Sequence, residues 1–302
     1  SLVLHNGIPV GTPKFAFNSG QLRAQGHIEL NNQVSVETLI FELLEVGETR
    51  LSGRVNIEKD GEHEIYVSAE YLDLRPYRDI RQIYSDNPLL ISGSAEKIIL
   101  TDEISLSEAE GHVTRGNDGG IIFEGRAHEL DLRAYFKHKD DSPGIIEDKE
   151  SKIPPTTLVG NVERVLVDDH VQLSNLRGNA RYDGDKIDFA ELEIFADISN
   201  RIEFRIYEHD KNRVLSITSE NAGAVLRAFD LTNDVVGGTL HLQGTFLDGE
   251  QDNPLKGDLI ISEFHVVNAP PLAKLLTIAT LTGALELLGG QGLPFDRMDA
   301  PF

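Results

Sequence analysis

The chain lacks cysteine and tryptophan and has a single methionine among its 302 residues. Without cysteine it has neither a disulfide framework nor a thiolate metal site, which is compatible with an oxidising compartment. Basic residues are also few, since 28 lysines and arginines face 50 aspartates and glutamates, for a formal net charge of -22. This negative charge repels phosphate backbones and anionic lipid headgroups, so we expect no nucleic-acid partner.

Motifs that carry catalysis are equally scarce. The ten histidines are scattered, and there is no His-Glu-x-x-His, Gly-x-Ser-x-Gly or glycine-rich phosphate loop. Asp168-Asp169-His170 resembles a metal cluster, and the acidic segment 183–188 resembles a calcium loop, but both are flanked by strand patterns and predict turns. Ser94 and Lys97 have the Ser-x-x-Lys spacing of acyl-transferring enzymes, yet strand-like residues surround them. We therefore expect a protein that is not an enzyme and holds no cofactor or metal.

Alternation of apolar and polar residues is the dominant pattern of the chain. Alternating segments end at turn pairs such as Asp60-Gly61, Asp183-Gly184 and Asp248-Gly249, with little helix between them. Strands joined by such hairpins need no crossover connection. The sequence therefore predicts a mainly β protein, built as a long antiparallel meander with a few short helices.

A short repeat divides the chain. Leu-Asp-Leu-Arg-Pro-Tyr at Leu72 to Tyr77 reappears as Leu-Asp-Leu-Arg-Ala-Tyr at Leu130 to Tyr135, each time after a strand pattern and before a stretch with helical character. Residues 138–156 carry charges and prolines with little apolar periodicity, which is typical of an exposed linker or long loop. We therefore predict an N-terminal β-meander unit at 1–137, the linker at 138–156, and a C-terminal β unit at 157–302.

Two helices are predicted in the C-terminal unit, near 221–231 and at 271–288. The first helix follows a good N-cap candidate, and it is short and apolar on one side. The second places leucines and isoleucine around nearly its whole circumference, so it must be buried on more than one side. Its 18 residues would span about 27 Å, slightly short of a bilayer core, and Lys274, Gly283 and Glu286 lower its hydrophobicity. Three alternatives stay open: a helix between the sheet and another element, a helix against bound lipid or a partner, and a membrane span.

The last third carries a family resemblance. Asn221-Ala222-Gly223 opens a helix, Gly237-Gly238 opens a strand, Ala269-Pro270 begins the apolar stretch, and Gly290 to Phe295 precedes the ending Phe295-Asp-Arg-Met-Asp-Ala-Pro-Phe302. With these features, residues 215–302 resemble the C-terminal region of the AsmA-like envelope proteins of Gram-negative bacteria, the branch that includes YhdP and is related to TamB. Upstream the resemblance is limited to the β pattern and the two Leu-Asp-Leu-Arg repeats.

This resemblance implies a long, curved β-sheet that forms an apolar groove. It further implies a periplasmic module, anchored to the inner membrane through a segment not in this chain, that belongs to a larger bridge-like lipid-transfer protein. Such proteins move phospholipids between the inner and outer membranes, so the implied partners are phospholipid acyl chains, both membranes and other envelope proteins. Because the chain begins at Ser1 without a leader pattern, we expect it to be a piece of that larger protein.

The residues expected to line the apolar groove lie on two strands and on the apolar helix. The set comprises Leu240, Leu242, Phe246, Leu259, Ile261, Phe264, Val266, Leu272, Leu276, Leu281 and Leu285. The same residues would equally form the closed core of an ordinary β domain, and the sequence does not separate these two interpretations. Two other functions also stay open: an envelope assembly scaffold that pairs with client β-strands of outer-membrane proteins, and a polysaccharide-acting enzyme.

Overall fold

The computed structural model describes residues 4–5, 8–9, 12–31, 35–57, 63–75, 89–115, 120–141, 155–229, 231–249, 253–267 and 292–302. Within these residues the chain is mainly β, as the sequence predicts, with two helices, α1 (Arg133–Asp141) and α2 (Ala222–Ala228). The strands are β1 (Leu4–His5), β2 (Ile8–Pro9), β3 (Lys14–Ser19), β4 (Leu22–Leu30), β5 (Val36–Val46), β6 (Thr49–Ile57), β7 (His63–Asp73), β8 (Leu89–Ile99), β9 (Ser105–Arg115), β10 (Ile121–Asp131), β11 (Thr156–Leu166), β12 (Gln172–Tyr182), β13 (Ile187–Phe195), β14 (Arg201–His209), β15 (Asn212–Ser219), β16 (Val235–Phe246), β17 (Leu255–Val266) and β18 (Leu293–Pro301).

Strands β3 to β18 form one sheet of 16 strands in which neighbours in sequence are neighbours in space, while β1 pairs with β2 alone. The expectation of a purely antiparallel meander is wrong, because β7 and β8 run parallel from His63 beside Leu89 to Asp73 beside Ile99. β10 and β11 also run in the same direction, since the Ile121 N–H donates to the Pro155 carbonyl and Gly160 lies against Gly125. Residues 74–88 and 132–155 connect these pairs, and both connections are long enough for a crossover.

The described structure divides into two compact units. The first unit comprises residues 1–163 and 182–186, and the second comprises residues 164–181 and 187–302. The linker expected at 138–156 falls largely outside the described residues, so the sequence-based boundaries at 137 and 157 stay a prediction. The helix expected near 221–231 is present as α2, and the Asn221 side chain caps it by accepting a hydrogen bond from the Ala224 N–H at 3.0 Å.

Three strands share a local motif that changes which side chains share a face. Leu106-Ser-Glu-Ala109 in β9, Leu173-Ser-Asn-Leu176 in β12 and Ile261-Ser-Glu-Phe264 in β17 each place their third residue at a φ of 48°, 51° and 55°, respectively. Such a left-handed residue interrupts the alternation of a strand, so that residues three apart lie on the same side. Ile261 and Phe264 accordingly belong to one buried cluster. We call this arrangement the bend motif.

The two Leu-Asp-Leu-Arg repeats have the same local structure. In the first, the Asp73 carboxylate accepts a hydrogen bond from the Arg75 backbone N–H at 3.0 Å and another from its guanidinium at 2.8 Å. In the second, Asp131 accepts the equivalent bonds from Arg133 at 3.1 and 2.7 Å. Each aspartate therefore fastens the chain where a strand ends and the connection to a parallel strand begins.

These two aspartates predict a specific loss of stability in acid. The Arg75 guanidinium bonded to Asp73 holds the pKa of that carboxyl below its usual value, and Arg133 does the same for Asp131. A lowered folded pKa contributes stability that is present above the unfolded value of about 3.9 and is lost as the pH falls through the folded value. Replacing both residues with asparagine should therefore flatten the decline of the unfolding free energy between about pH 5 and about pH 2.

Urea unfolding at a series of pH values measures this slope. The matched control is Asp210→Asn, because Asp210 lies in an exposed turn and pairs with His209 rather than with an arginine. The control should leave the slope unchanged. Equal slopes for the wild type and the Asp73→Asn, Asp131→Asn variant would show that these carboxylates do not stabilise the fold through their charge.

Candidate functional site

The second unit carries an apolar face. Residues paired across neighbouring strands project to the same side of a sheet, and successive residues project to opposite sides. One row on this side runs through β13 to β18 and contains Leu192, Phe204, Ile217, Leu242, Leu259 and Ala300. The next row contains Ile194, Ile202, Ser219, Leu240, Ile261 and Met298. We call this surface the second-unit apolar face.

The opposite side of the same strands is polar. The row directly beside the Leu242 row contains Glu191, Arg205, Ser216, Gln243, Asp258 and Pro301. Ion pairs cross this side, including Arg205 with Glu191 at 3.5 Å and Arg201 with Glu193 at 3.1 Å. The sheet therefore separates an apolar surface from a solvated one, as alternation predicts for a sheet with one wet side.

Helix α2 covers one end of the second-unit apolar face. It packs against β16 and β17, and its Ala222 and Val225 join Leu240, Ile261 and Phe264 in a buried cluster. Ile261 is only 1% exposed there. The approach is close because Gly223 lies on β16, where a Cβ atom would come within 2.5 Å of the Val235 carbonyl oxygen. This end of the face is therefore filled by the protein itself.

Beyond α2 the same face is half-buried. Phe204, Ile217, Leu242 and Leu259 each keep part of their side chain accessible. In the described part of the second unit no second sheet layer lies over them. They adjoin a smaller buried cluster, Ala190 with Ile206 and Leu215. A face of large apolar side chains without a second layer is unusual for a soluble domain, since such a surface is normally packed against another element.

A charged group closes the far end of this face. The Arg213 guanidinium lies 3.9 Å from the centre of the Phe246 ring and donates to the Asp248 carboxylate at 2.9 Å. The Arg213 side chain is only 11% exposed, so the cation is held between an aromatic ring and a carboxylate. The half-buried part of the face thus has α2 at one end and a neutralised ion pair at the other.

All seven strand residues expected to line the groove lie together on this face. Leu240, Ile261 and Phe264 form the part that α2 buries, so a ligand could not reach them without displacing the helix. The other four, Leu242, Phe246, Leu259 and Val266, are half-buried at the edge of the buried clusters. The four helix residues, Leu272, Leu276, Leu281 and Leu285, lie outside the described residues, as does the whole helix expected at 271–288.

The first unit has an apolar face of its own. One row through β5 to β10 contains Leu39, Val55, Ile65, Ile91, Val113 and Phe123, of which Phe123 is 38% exposed and the others are half-buried. The next two rows on the same side carry smaller residues in strands β8 to β10. They contain Phe41, Gly53, Val67, Gly93, Gly111 and Gly125, and then Leu44, Leu51, Ala69, Ala95, Ala109 and Ala127.

The first unit also has a cavity, whose lining combines charged and polar side chains with small apolar residues such as Ala69, Ala95 and Ala109. It measures about 970 Å³, and the polar row Ser52, Ser68, Ser94, Glu110 and Arg126 forms part of its lining. Polar contacts join residues of this lining: Arg126 pairs with Glu110 at 2.6 Å, and the His128 Nδ1 atom lies 2.8 Å from the Glu163 carboxylate. Charged side chains make up much of this lining, and burying an acyl chain against them is unfavourable. In the residues that the structure describes, no group of three or more histidines and carboxylates is arranged to hold a metal.

The turn predictions made from the sequence are confirmed where they fall on described residues. The Asp168 carboxylate accepts from the Val171 N–H at 2.7 Å in the turn between β11 and β12. Asp183 accepts from the Asp185 and Lys186 N–H groups in the turn between β12 and β13. The segment Ser94 to Lys97 lies within strand β8, as expected from its surroundings, and the Lys97 ammonium donates to the Ser107 hydroxyl at 3.3 Å.

Sequence reasoning missed the contributions of β14 and β15 to the apolar face. The segment 201–209 alternates Ile202, Phe204 and Ile206 with charged residues, and this pattern could have identified the strand as part of the same surface. It also left the apolar rows of the first unit out of the expected groove lining, although Val55 lies between the polar residues Arg54 and Asn56 in β6 and pairs with Ile65 of β7.

Comparison with protein-family models, with curated proteins and with solved structures gave no match. In the described part of the chain no helix is both long and apolar enough to cross a membrane.

Proposed function

We propose that this chain is a non-enzymatic lipid-binding module whose apolar faces shelter the acyl chains of a phospholipid. The observation that carries the proposal is the row Phe204, Ile217, Leu242 and Leu259, which is apolar, half-buried and without a second sheet layer in the described part of its unit. From β13 to β18 the full row crosses six strands, or five spacings of about 4.8 Å, which is about 24 Å. That length matches a fatty acyl chain lying across the strands.

The energetics of lipid transfer favour such a surface. A phospholipid with about 30 methylene groups would cost on the order of 20 kcal/mol to expose to water, at roughly 0.8 kcal/mol per group. A carrier therefore needs a continuous apolar shelter rather than a few contacts. In the proposal, the curved sheet forms an apolar groove, and its acidic outer side keeps the protein in solution.

The wider setting rests on the resemblance of residues 215–302 to AsmA-like envelope proteins. In that setting the chain is part of a larger protein of the periplasm, anchored to the inner membrane, that moves phospholipids between the inner and outer membranes. A role as an assembly scaffold is the second candidate. It is favoured by the outer strands β3 and β18, each of which has a described partner on one side only and could pair with a client β-strand.

Site-specific photo-crosslinking tests the proposal. We expect a benzophenone side chain in place of Phe204 to crosslink phospholipid, because Phe204 projects from the half-buried part of the apolar face. The same side chain in place of Arg205 is the matched control, since Arg205 is the next residue of the strand and lies on the polar side. Equal lipid crosslinking at the two positions, or none at Phe204, would contradict the proposal.

A further inference from the structure

One end of the second unit exposes large apolar side chains at the tips of its connections. Ile198, at the tip between β13 and β14, is 99% exposed. Leu231, which follows α2, is 70% exposed, and Phe229 at the helix C-cap is 38% exposed. Isolated apolar residues on a surface need no explanation, but a fully exposed isoleucine at a tip does when the next connection at the same end of the sheet exposes two further apolar residues.

Ile198 lies in a turn that several hydrogen bonds hold in place. The Asp197 carboxylate accepts hydrogen bonds from the Ser199 and Asn200 N–H groups, each at 3.0 Å. The Ala196 N–H donates to the Asn200 carbonyl at 2.9 Å and closes the turn. The Asn200 side chain in turn accepts a hydrogen bond at 2.8 Å from Asn221, which caps α2. The tip and the helix are therefore one structural element, with Ile198 at one end of it and Leu231 beyond the other.

The most apolar stretch of the sequence joins the sheet at the same end. The Val267 N–H donates to the Asp234 carbonyl at 2.7 Å, so the residue that precedes 268–291 is bonded to the connection that contains Leu231. The described structure resumes at Gly292, just before β18. Between 271 and 288 the sequence has only two charged residues, so a strongly apolar segment is joined to the sheet at this end.

We propose that this end of the second unit docks on the surface of a zwitterionic lipid bilayer, with Ile198 and Leu231 entering its interface. Aliphatic side chains at firmly held tips transfer favourably into the boundary between headgroups and acyl chains. The charges at this end set the choice of lipid. Among the described residues at this end the exposed Asp197, Glu220 and Asp234 outnumber the exposed Arg201 and Arg227, and this excess of negative charge disfavours an anionic headgroup layer. The surface therefore fits neutral phospholipid.

The absence of tryptophan from the chain provides a direct test. Ile198→Trp introduces a single tryptophan at the tip, and we expect its emission to shift to shorter wavelength with phosphatidylethanolamine–phosphatidylcholine vesicles. Ile187→Trp is the matched control, because Ile187 is 43% exposed at the opposite end of β13. Its emission should not respond to vesicles. Ile198→Ser with Leu231→Ser should lower the vesicle partition coefficient by about tenfold, whereas Ile187→Ser with Leu158→Ser should leave it unchanged.

Several results would overturn the proposal. One is the absence of a spectral shift at position 198, or an equal shift at 187. Another is binding that requires phosphatidylglycerol and disappears with salt, which would indicate adsorption by charge. A shift at 198 that follows protein concentration without vesicles would identify an interface between copies instead. The proposal stands apart from the binding of acyl chains to the apolar face, because lipid could co-purify with the protein while vesicle binding fails.

Discussion

Gly111→Val is expected to destabilise the first unit by about 3 kcal/mol or more. Gly111 lies in β9 opposite Gly125 of β10. A Cβ atom at position 111 would come within 2.4 Å of the Glu124 carbonyl oxygen and 2.8 Å of the Gly125 Cα atom. Both obstacles are backbone, so no side chain can move to relieve the overlap. The two strands would have to separate and lose ladder hydrogen bonds, which urea unfolding followed by circular dichroism would detect.

Glu108→Gly is the control for this prediction. It lies three residues away in the same strand, but its φ of 48° is a conformation that glycine adopts without strain. The gain from relieved strain and the cost of a more flexible unfolded chain nearly cancel, so the change should stay within about 1 kcal/mol. Unfolding of Gly111→Val at the same urea concentration as the wild type would contradict the close approach of the β9 and β10 backbones at Gly111.

The combined variant Leu242→Ser, Leu259→Ser is expected to lose bound phospholipid almost completely. The two leucines are directly paired in the half-buried part of the second-unit apolar face. Each substitution removes several apolar carbons and introduces a hydroxyl group, which together should lower lipid affinity by about tenfold or more. Lipid extracted per mole of purified protein measures the effect.

The neighbouring pair on the same strands supplies the control. Gln243 and Asp258 are also directly paired, and they lie on the polar side. Their replacement with serine should leave the lipid content unchanged. Circular dichroism should show that both variants keep the β fold. Equal lipid loss in the two variants, or no loss in either, would show that the apolar face is not where lipid binds.

Local features of the sequence predicted the local features of the fold. Alternation identified the strands, and an N-cap candidate at the start of 221–231 identified α2, which the Asn221 side chain caps by accepting from a free N–H. The aspartates at 168 and 183 were recognised as turn residues for the same reason. In each case the interaction joins residues within a few positions of one another.

Features that depend on distant parts of the chain were not predictable in this way. A strand alternates equally well whether its neighbour runs parallel or antiparallel, so the direction of β8 beside β7 left no trace in either segment. The burial of Ile261 rather than Leu259 depends on where α2 lies, which is decided by contacts between α2, β16 and β17. The groove that the family resemblance implies would depend on the curvature of the sheet as a whole, which short segments do not encode.

The bend motif lies between these cases. Glutamate has no preference for a left-handed φ, so Glu108 and Glu263 carry no local signal, whereas Asn175 tolerates that conformation better. The recurrence of Leu-Ser-Glu, Leu-Ser-Asn and Ile-Ser-Glu in three strands was nevertheless visible in the sequence. Comparison of the strands with one another, rather than each with a strand pattern, would have identified it.

The most direct test of the account is native mass spectrometry, with lipid extraction, on the protein purified from a bacterial host without detergent. We expect phospholipid bound in a near-stoichiometric amount, because the half-buried apolar rows have no second sheet layer over them in the part of the chain that the structure describes. A stable monomer free of lipid would contradict the account. That result would mean that the protein covers these faces itself, and it would favour the role as an assembly scaffold.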